Sequence, residues 1–509
     1  MKKIHFFNLL ISGLVCALQV PVTIPVLAQE KKDSLKVVPP ALSFISRHTG
    51  VFGGKTMAYK VTAREMHLKN AQGDPEASVW SVAYTQEGLK DLVSRPVTFV
   101  FNGGPGSASV WLHLGLLGPK IVQTDSKAQV DDGAAPYQLL DNPHALLDLT
   151  DLVFIDPVGT GYSRPVGKGK GEDFWGLKED AASVAKFMRE WVTEHQRWFS
   201  PKYIIGESFG TTRAAAVANA LEGGGQNMAL NGLVLISQAL DYAGSTSTND
   251  NITSFLTYLP SMAATAWYHQ KAGRGKSLTD FIEECRQFTY HEYAPALYQG
   301  NLLDTAAKKK ISDKLAYFTG LDKNYLLQTN LMVLVPRFQK LLLAEKGWSI
   351  GRLDGRFMGD ETDDLTATPH LGDPASYQIE SAFTAALNHY YSETLKITMN
   401  RPYLTSNDEV GEKWRWRTVP DGKYWEPWPV NVARQLGETM RRNTAMKVLV
   451  ASGYYDLICP FFDAEYTFAR HGIVPERVTK TYYEAGHMMY LHEPDLIKLS
   501  GDIRKFLSE

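Results

Sequence analysis

The sequence predicts an α/β protein: a mainly parallel central sheet, helices on both of its faces, and a large, mostly helical insertion. Three observations carry that expectation. Short apolar runs alternate with helix-period segments from about residue 96 to 240, the pattern of strands buried on both faces and joined by helical crossovers. The alternation stops at a polar stretch, residues 244–251 (GSTSTNDN), and resumes at Lys447-Val448-Leu449-Val450, as it would if one sheet were interrupted by a long excursion. Within the first stretch, Tyr203-Ile204-Ile205 runs into Gly206-Glu207-Ser208-Phe209-Gly210 and a helical segment, a strand, sharp turn and helix in immediate succession.

Composition bounds what such a fold can be. The chain has 509 residues, 44% hydrophobic and 21% charged, enough for about three domains or one large domain with an insertion. Its 53 Lys and Arg against 55 Asp and Glu give a net charge of −2, so no basic field is available to hold nucleic acid. Three cysteines in that length exclude a disulfide-built scaffold. An enzyme is the leading expectation.

Taken in order, residues 1–28 are expected to be a signal peptide. Met1-Lys2-Lys3 is basic, an apolar run follows from Ile4 to about Val22, and Val26-Leu27-Ala28 offers a cleavage site before Gln29. An uncleaved anchor is the alternative, against which Pro21, Pro25 and Ala28 weigh. Cys16 has Gly13 three residues before it rather than leucine, so it does not form a lipoprotein site. Cleavage would take the charge to −4 and leave Cys285 and Cys459, whose pairing stays open. No second run of 18 apolar residues follows, so the mature chain is expected to be soluble without a membrane span, in the periplasm or outside the cell. Residues 29–45 read as a tether, 46–244 as the first part of the core, 245–430 as the insertion, and 431–509 as the second part of the core.

Within the core, strands are expected at 96–101, 152–155, 203–205, 233–236, 447–450 and 478–484. Leu177, Ala181, Val184, Met188 and Trp191 recur at helical spacing, marking an amphipathic helix over 175–195. Further helices are expected at about 211–221, 460–471 and 494–507. The insertion is rich in aromatics, with Trp414, Trp416, Trp425 and Trp428 close together. It is placed above the sheet's C-terminal edge, where open α/β sheets bind ligands; a second domain with no part in the site is the alternative.

The chemistry centres on Ser208. The flanking glycines let the backbone turn sharply enough to present its hydroxyl at the sheet edge, and the helix that follows aims free N–H groups at the same point. A serine nucleophile needs a base, and the base needs an acid to hold its tautomer. In an α/β-hydrolase these follow in the order Ser, Asp or Glu, His. Asp456, just past the strand at 447–450, and His487, in the turn after 478–484, satisfy that order. Asp463 is a rival acid. His471 reads as a helix C-terminal cap and His492 as an exposed helix start. One oxyanion donor is expected from the Phe209 amide, and another from the glycine-rich loop Asn102-Gly103-Gly104-Pro105-Gly106. That loop lacks the lysine of a phosphate cradle.

Phe101 to Gly106, Asp156 to Ser163, Gly206 to Gly210, Ser452 to Asp456 and Ala485 to Met488 resemble, in order, the five signature blocks of the serine carboxypeptidase family. The resemblance covers about 100–240 and 445–490. It implies that the Gly104 and Phe209 amides form the oxyanion hole. It also implies that Asn102, the Gly103 amide and Glu207 receive a peptide's terminal carboxylate. Glu207 fits that task if protonated, since a neutral carboxyl donates a hydrogen bond; an ordinary buried structural acid is the other reading. Three departures stand out. Ser107 replaces the family's cysteine, Leu116 replaces a second glutamate, and no glutamine separates Asp156 from Pro157. With Leu116 there, the Glu207 pKa is expected to be raised mainly by burial.

The expected function is therefore an exported serine carboxypeptidase acting on peptides with a free C-terminus. No metal or nucleotide cofactor is indicated, nucleic acid is not an expected partner, and oligomeric state is left open. A proline-releasing aminopeptidase shares the Gly-Gly-Pro-Gly loop but normally carries histidine before it. An esterase or acyltransferase on the same triad is the further alternative.

Overall fold

The computed structural model describes residues 38–129, 133–223, 225–417 and 430–509. The region read as a signal peptide, along with Trp425 and Trp428, lies outside the described residues. Three antiparallel strands open the chain: β1 (Ser43–Phe52), β2 (Lys55–Lys69) and β3 (Pro75–Gln86). Residues 43–45 pair with Arg64, Ala63 and Thr62, so the stretch read as a tether already belongs to the sheet there. The proline pair at 39–40 punctuates the chain; the alternation of half-buried and exposed residues that follows it is edge-strand patterning.

The parallel strands of this sheet fall where the apolar runs place them. They are β4 (Val97–Phe101), β5 (Asp151–Asp156), β6 (Lys202–Glu207), β7 (Gly232–Ile236), β8 (Lys447–Gly453) and β9 (Val478–Tyr483). The order across the sheet is β1-β2-β3-β5-β4-β6-β7-β8-β9, with Arg164–Pro165 paired to β3 as a tenth strand. From β5 to β9 all neighbours are parallel. The chain leaves β4 on one side to form β5, then crosses to its other side to form β6. That reversal opens a crevice at the C-terminal ends of β4 and β6, and both the glycine-rich loop and Ser208 emerge there.

Helix α1 (Leu177–Glu194) and helix α2 (Phe209–Gly223) cover one face. Phe99, Val153, Ile204 and Leu233 point into that core; Val100, Phe154, Ile205 and Val234, one residue on, belong to the core of the other face. The period of two buries strands on both sides, which is why they read as continuous apolar runs. The insertion builds its own core around Phe255, Phe281, Phe288, Leu315 and Phe338, using α3 (Ile252–Tyr268), α4 (Leu278–Phe288) and α5 (Thr305–Thr319). Helix α6 (Glu380–His389) instead packs on the second sheet core through Ala382, Phe383 and Leu387. After β8 and β9 come α7 (Phe461–Phe468) and α8 (Glu493–Ser508), close to the helices the periodicity predicts.

Candidate active site

Strand β6 ends at Glu207, and Ser208 follows with φ +59°, a left-handed conformation unusual for a residue with a side chain. Glycine is required on either side of it. A Cβ at Gly206 would lie 2.3 Å from the Gly210 carbonyl oxygen. Helix α2 begins at Phe209, directly after the serine.

The loop after β4 packs on this elbow. A Cβ at Gly103 would stand 2.6 Å from the Phe209 nitrogen and 2.9 Å from the Ser208 Cβ, and Gly104 turns back with φ +102°. Asn102 Nδ2 donates to Glu207 Oε1 at 2.9 Å, while its Oδ1 accepts from the Leu112 N–H at 3.0 Å. Those two bonds fix which way the amide faces.

The two residues expected as acid and base, Asp456 and His487, follow the ends of β8 and β9. His487 Nδ1 donates to Asp456 Oδ2 at 2.8 Å, and Asp456 Oδ1 accepts from the Ile458 and Cys459 N–H groups. With Nδ1 so engaged, Nε2 is the nitrogen left for a proton from serine. Asn102, Gly103, Gly104, Glu207, Ser208 and His487 all line one cavity of about 350 Å³. Arg352, Ile379, Glu380 and Ser406 of the insertion complete its wall.

Burial governs the charges. It is the largest influence on Glu207 and pushes its pKa up to about 7; His487, Tyr490 and Asn102 pull it down, and Asp456 adds to the rise. Burial would lower His487, but the Asp456 carboxylate outweighs it and lifts the imidazole well above its usual value. Cys459 brings its thiol within 4.8 Å of Asp456 and His487. That trio has metal-ligand chemistry, yet burial pushes the thiol up to about 11 and both Asp456 oxygens are already hydrogen-bonded. Cys285 and Cys459 are both buried free thiols, which answers the question of their pairing.

The rival residues go elsewhere. Asp463 is buried against Gln238 and Thr467 and held well up by burial and by Asp241. His471 lies beyond the end of α7 with φ +61° and pairs with Asp241 at 3.1 Å, so it bridges to another loop instead of capping the helix. His492 is the N-cap residue of α8 and bonds Asp495 at 2.8 Å.

Two features escaped the sequence reading. Residues 352–356 of the insertion form a strap across the loops that carry Asp456 and His487. The Arg352 carbonyl accepts from Leu457 N–H, and the Leu353 carbonyl from His487 N–H at 2.6 Å. Asp354 Oδ2 accepts from Gly486 N–H at 2.9 Å while its carboxylate pairs with Arg356. A Cβ at Gly486 would lie 2.4 Å from the Asp354 Cα. The only sequence signal was the charged, glycine-punctuated run Gly351-Arg-Leu-Asp-Gly-Arg356. The second feature is Tyr490. Its hydroxyl and Glu207 Oε2 are buried without a well-formed hydrogen bond among the described residues, yet the hydroxyl lies near enough to draw the Glu207 pKa down, and Glu207 in turn raises that of Tyr490. Gly115 makes room for it, since a Cβ there would meet the Tyr490 ring at 2.5 Å.

Comparison with known proteins bears on the family and the fold. A family model described as serine carboxypeptidase matches residues 80–493. The pheromone-processing carboxypeptidase KEX1 of Saccharomyces cerevisiae is 28% identical over 220 residues, covering 42% of this chain and 28% of that protein. Serine carboxypeptidase-like 16 of Arabidopsis thaliana is 27% identical over 154 residues, covering 29% of this chain and 34% of that one. The match thus spans about a third or less of these relatives' lengths. The crystal structure of KEX1(delta)P, a prohormone-processing carboxypeptidase from Saccharomyces cerevisiae, superposes with a TM-score of 0.55 at 16% identity. It covers 88% of this chain and 91% of that one, a likeness of fold.

Proposed function

The chain belongs to the serine carboxypeptidase family, and from that premise we propose that it removes C-terminal residues from peptides by acyl transfer to Ser208. His487 takes the Ser208 proton as the hydroxyl attacks the scissile carbonyl, then gives it to the leaving amine. Asp456 holds the imidazole in the tautomer this requires. The Gly104 and Phe209 N–H groups receive the oxyanion. Water then attacks the acyl-enzyme with His487 again as base.

One observation carries the exopeptidase reading: Asn102 and a buried Glu207, whose pKa burial lifts to about 7, are bonded to each other in the cavity that Ser208 lines. An amide nitrogen, the Gly103 N–H and a neutral carboxyl are three donors suited to an anion about one residue from the scissile bond. An ionised glutamate there would repel it. Export and cleavage near Ala28 belong to the same reading, supported by the basic-then-apolar leader. Among the described residues no helix is long and apolar enough to cross a membrane.

The test is product analysis on matched N-blocked peptides ending in a free carboxylate or an amide. Release of the last residue from the free acid, at least tenfold faster than from the amide, is expected. Equal rates on the two, or faster cleavage of a simple ester with no peptidase activity, would refute it.

A further inference from the structure

Helix α2 is buried along most of its length, and Arg213 is its buried charge. A guanidinium 1% exposed persists only where its donors are satisfied. Its Nε donates to Asp180 Oδ2 on α1 at 2.6 Å, and its Nη1 donates to the backbone carbonyl of Asn102, also at 2.6 Å. The guanidinium carbon lies 5.3 Å from the Phe101 ring and 5.2 Å from the Phe209 ring. Gly210, three residues earlier on the same helical face, permits this approach. A Cβ there would stand 2.8 Å from the Phe101 carbonyl oxygen and 3.0 Å from that of Asn102.

The Asn102 carbonyl and the Gly103 N–H belong to one planar trans peptide and so point in opposite directions. A cation bonded to the oxygen fixes the plane of that peptide and polarises the N–H on its far side. Asp180 alone could have satisfied the charge; the second arm of the fork is directed to this one carbonyl. We propose that Arg213 is the positioning residue of the carboxylate receptor, holding the Asn102–Gly103 peptide so that the Gly103 N–H meets the substrate's terminal carboxylate. Asp180 anchors the guanidinium from behind, and the Phe101 and Phe209 rings keep it in register with the elbow. This rests on the reading of Gly103 given above.

The experiment measures kcat/KM for N-blocked dipeptides with free and amidated C-termini, in wild type and in Arg213→Lys. Lysine keeps a charge for Asp180 and loses the fork that spans two acceptors. The ratio of free-acid to amide activity should fall about tenfold, through a higher KM for the free acid. A merely structural role would lower both substrates in the same proportion, and an unchanged ratio overturns the proposal. The double variant Asp180→Asn/Arg213→Gln removes both buried charges together and reads the same ratio should the lysine variant fold poorly. A wild-type enzyme with no preference for free acids would instead refute the carboxylate reading itself. A preference present in wild type and kept in the Arg213 variants overturns this inference alone.

Discussion

Replacing Glu207 by glutamine removes a charge without removing a hydrogen-bond donor, and its effect on the pH profile can be worked out from the site. Glu207 is buried, with a pKa pushed up to about 7 chiefly by burial. Only its protonated form can donate to a substrate carboxylate, so binding through it weakens as pH rises through 7. By pH 9 about 1% of the enzyme remains in that form, a loss on the order of a hundredfold in kcat/KM for free-acid peptides. At the acid end His487 must be neutral to act as base, and Asp456 lifts its pKa. The competent form pairs neutral His487 with protonated Glu207, and the limbs of the resulting bell belong to the coupled pair. Glutamine keeps its carbonyl toward Asn102 Nδ2 and offers an N–H₂ in place of the proton. The alkaline limb should therefore disappear in Glu207→Gln, leaving free-acid activity at pH 9 above wild type, while amidated peptides gain little. Near pH 6 the loss should stay within about one to two decades, the range of one charge-assisted hydrogen bond. Profiles of kcat/KM from pH 5 to 9 on paired free-acid and amide substrates decide it. A full alkaline limb surviving in Glu207→Gln would refute the reasoning.

Ser208→Ala and His487→Ala should each lower turnover by about 10⁴–10⁶, and the double variant little more, because the residues act as one unit; multiplicative losses in single-turnover assays would contradict that. Asp456→Asn should be far more damaging to kcat than Asp463→Asn, and equal damage would unseat Asp456. His113, stacked on Phe154 and bonded to Tyr84, is held down to about pKa 3 by burial. Between pH 6.5 and 3 the unfolded chain binds a proton that the folded chain refuses, so acidification destabilises the fold by up to about 1.4 kcal/mol per pH unit. His113→Gln should flatten that loss in thermal melts from pH 6 to 4, and an identical slope would argue against it. Mass analysis of the exported protein should find its N-terminus at or next to Gln29; a product retaining Met1 to Ala28 would revive the anchor reading.

Strands β4 to β9 were legible because strands buried on both faces leave unbroken apolar runs ending in turn residues. The three antiparallel strands before them were not: β1 lies at the sheet edge and alternates half-buried with exposed positions, so its start was absorbed into the proline-punctuated segment before it, and no strand was read across β2 or β3. Ser208, Asp456 and His487 could be picked out because each follows a recognisable strand, and local sequence fixes that placement. The roles of Asp354 and Arg213 depend on pairings across 132 and 111 residues, which no local pattern encodes. Arg213 carries a weak signal in hindsight: a single arginine in Thr-Thr-Arg-Ala-Ala-Ala-Val is costly once that helix is known to be enclosed. His471 shows the converse error, since a histidine before a glycine at a helix end reads as a cap until Asp241 is seen beside it.

The strap at 352–356 bears on how members of such a family can diverge or be re-engineered. Exchanging the insertion for that of a relative looks like a modular route to new specificity, because this region supplies much of the cavity wall. Yet the main chain that carries His487 donates hydrogen bonds to the Leu353 carbonyl and the Asp354 carboxylate, and the loop that carries Asp456 donates one to the Arg352 carbonyl. A graft that omits those five residues would exchange substrate preference and catalytic competence in the same stroke. The strap thus ties the insertion to the loops that carry Asp456 and His487, and functional chimaeras should be those whose junctions leave residues 351–356 with the loops they clasp.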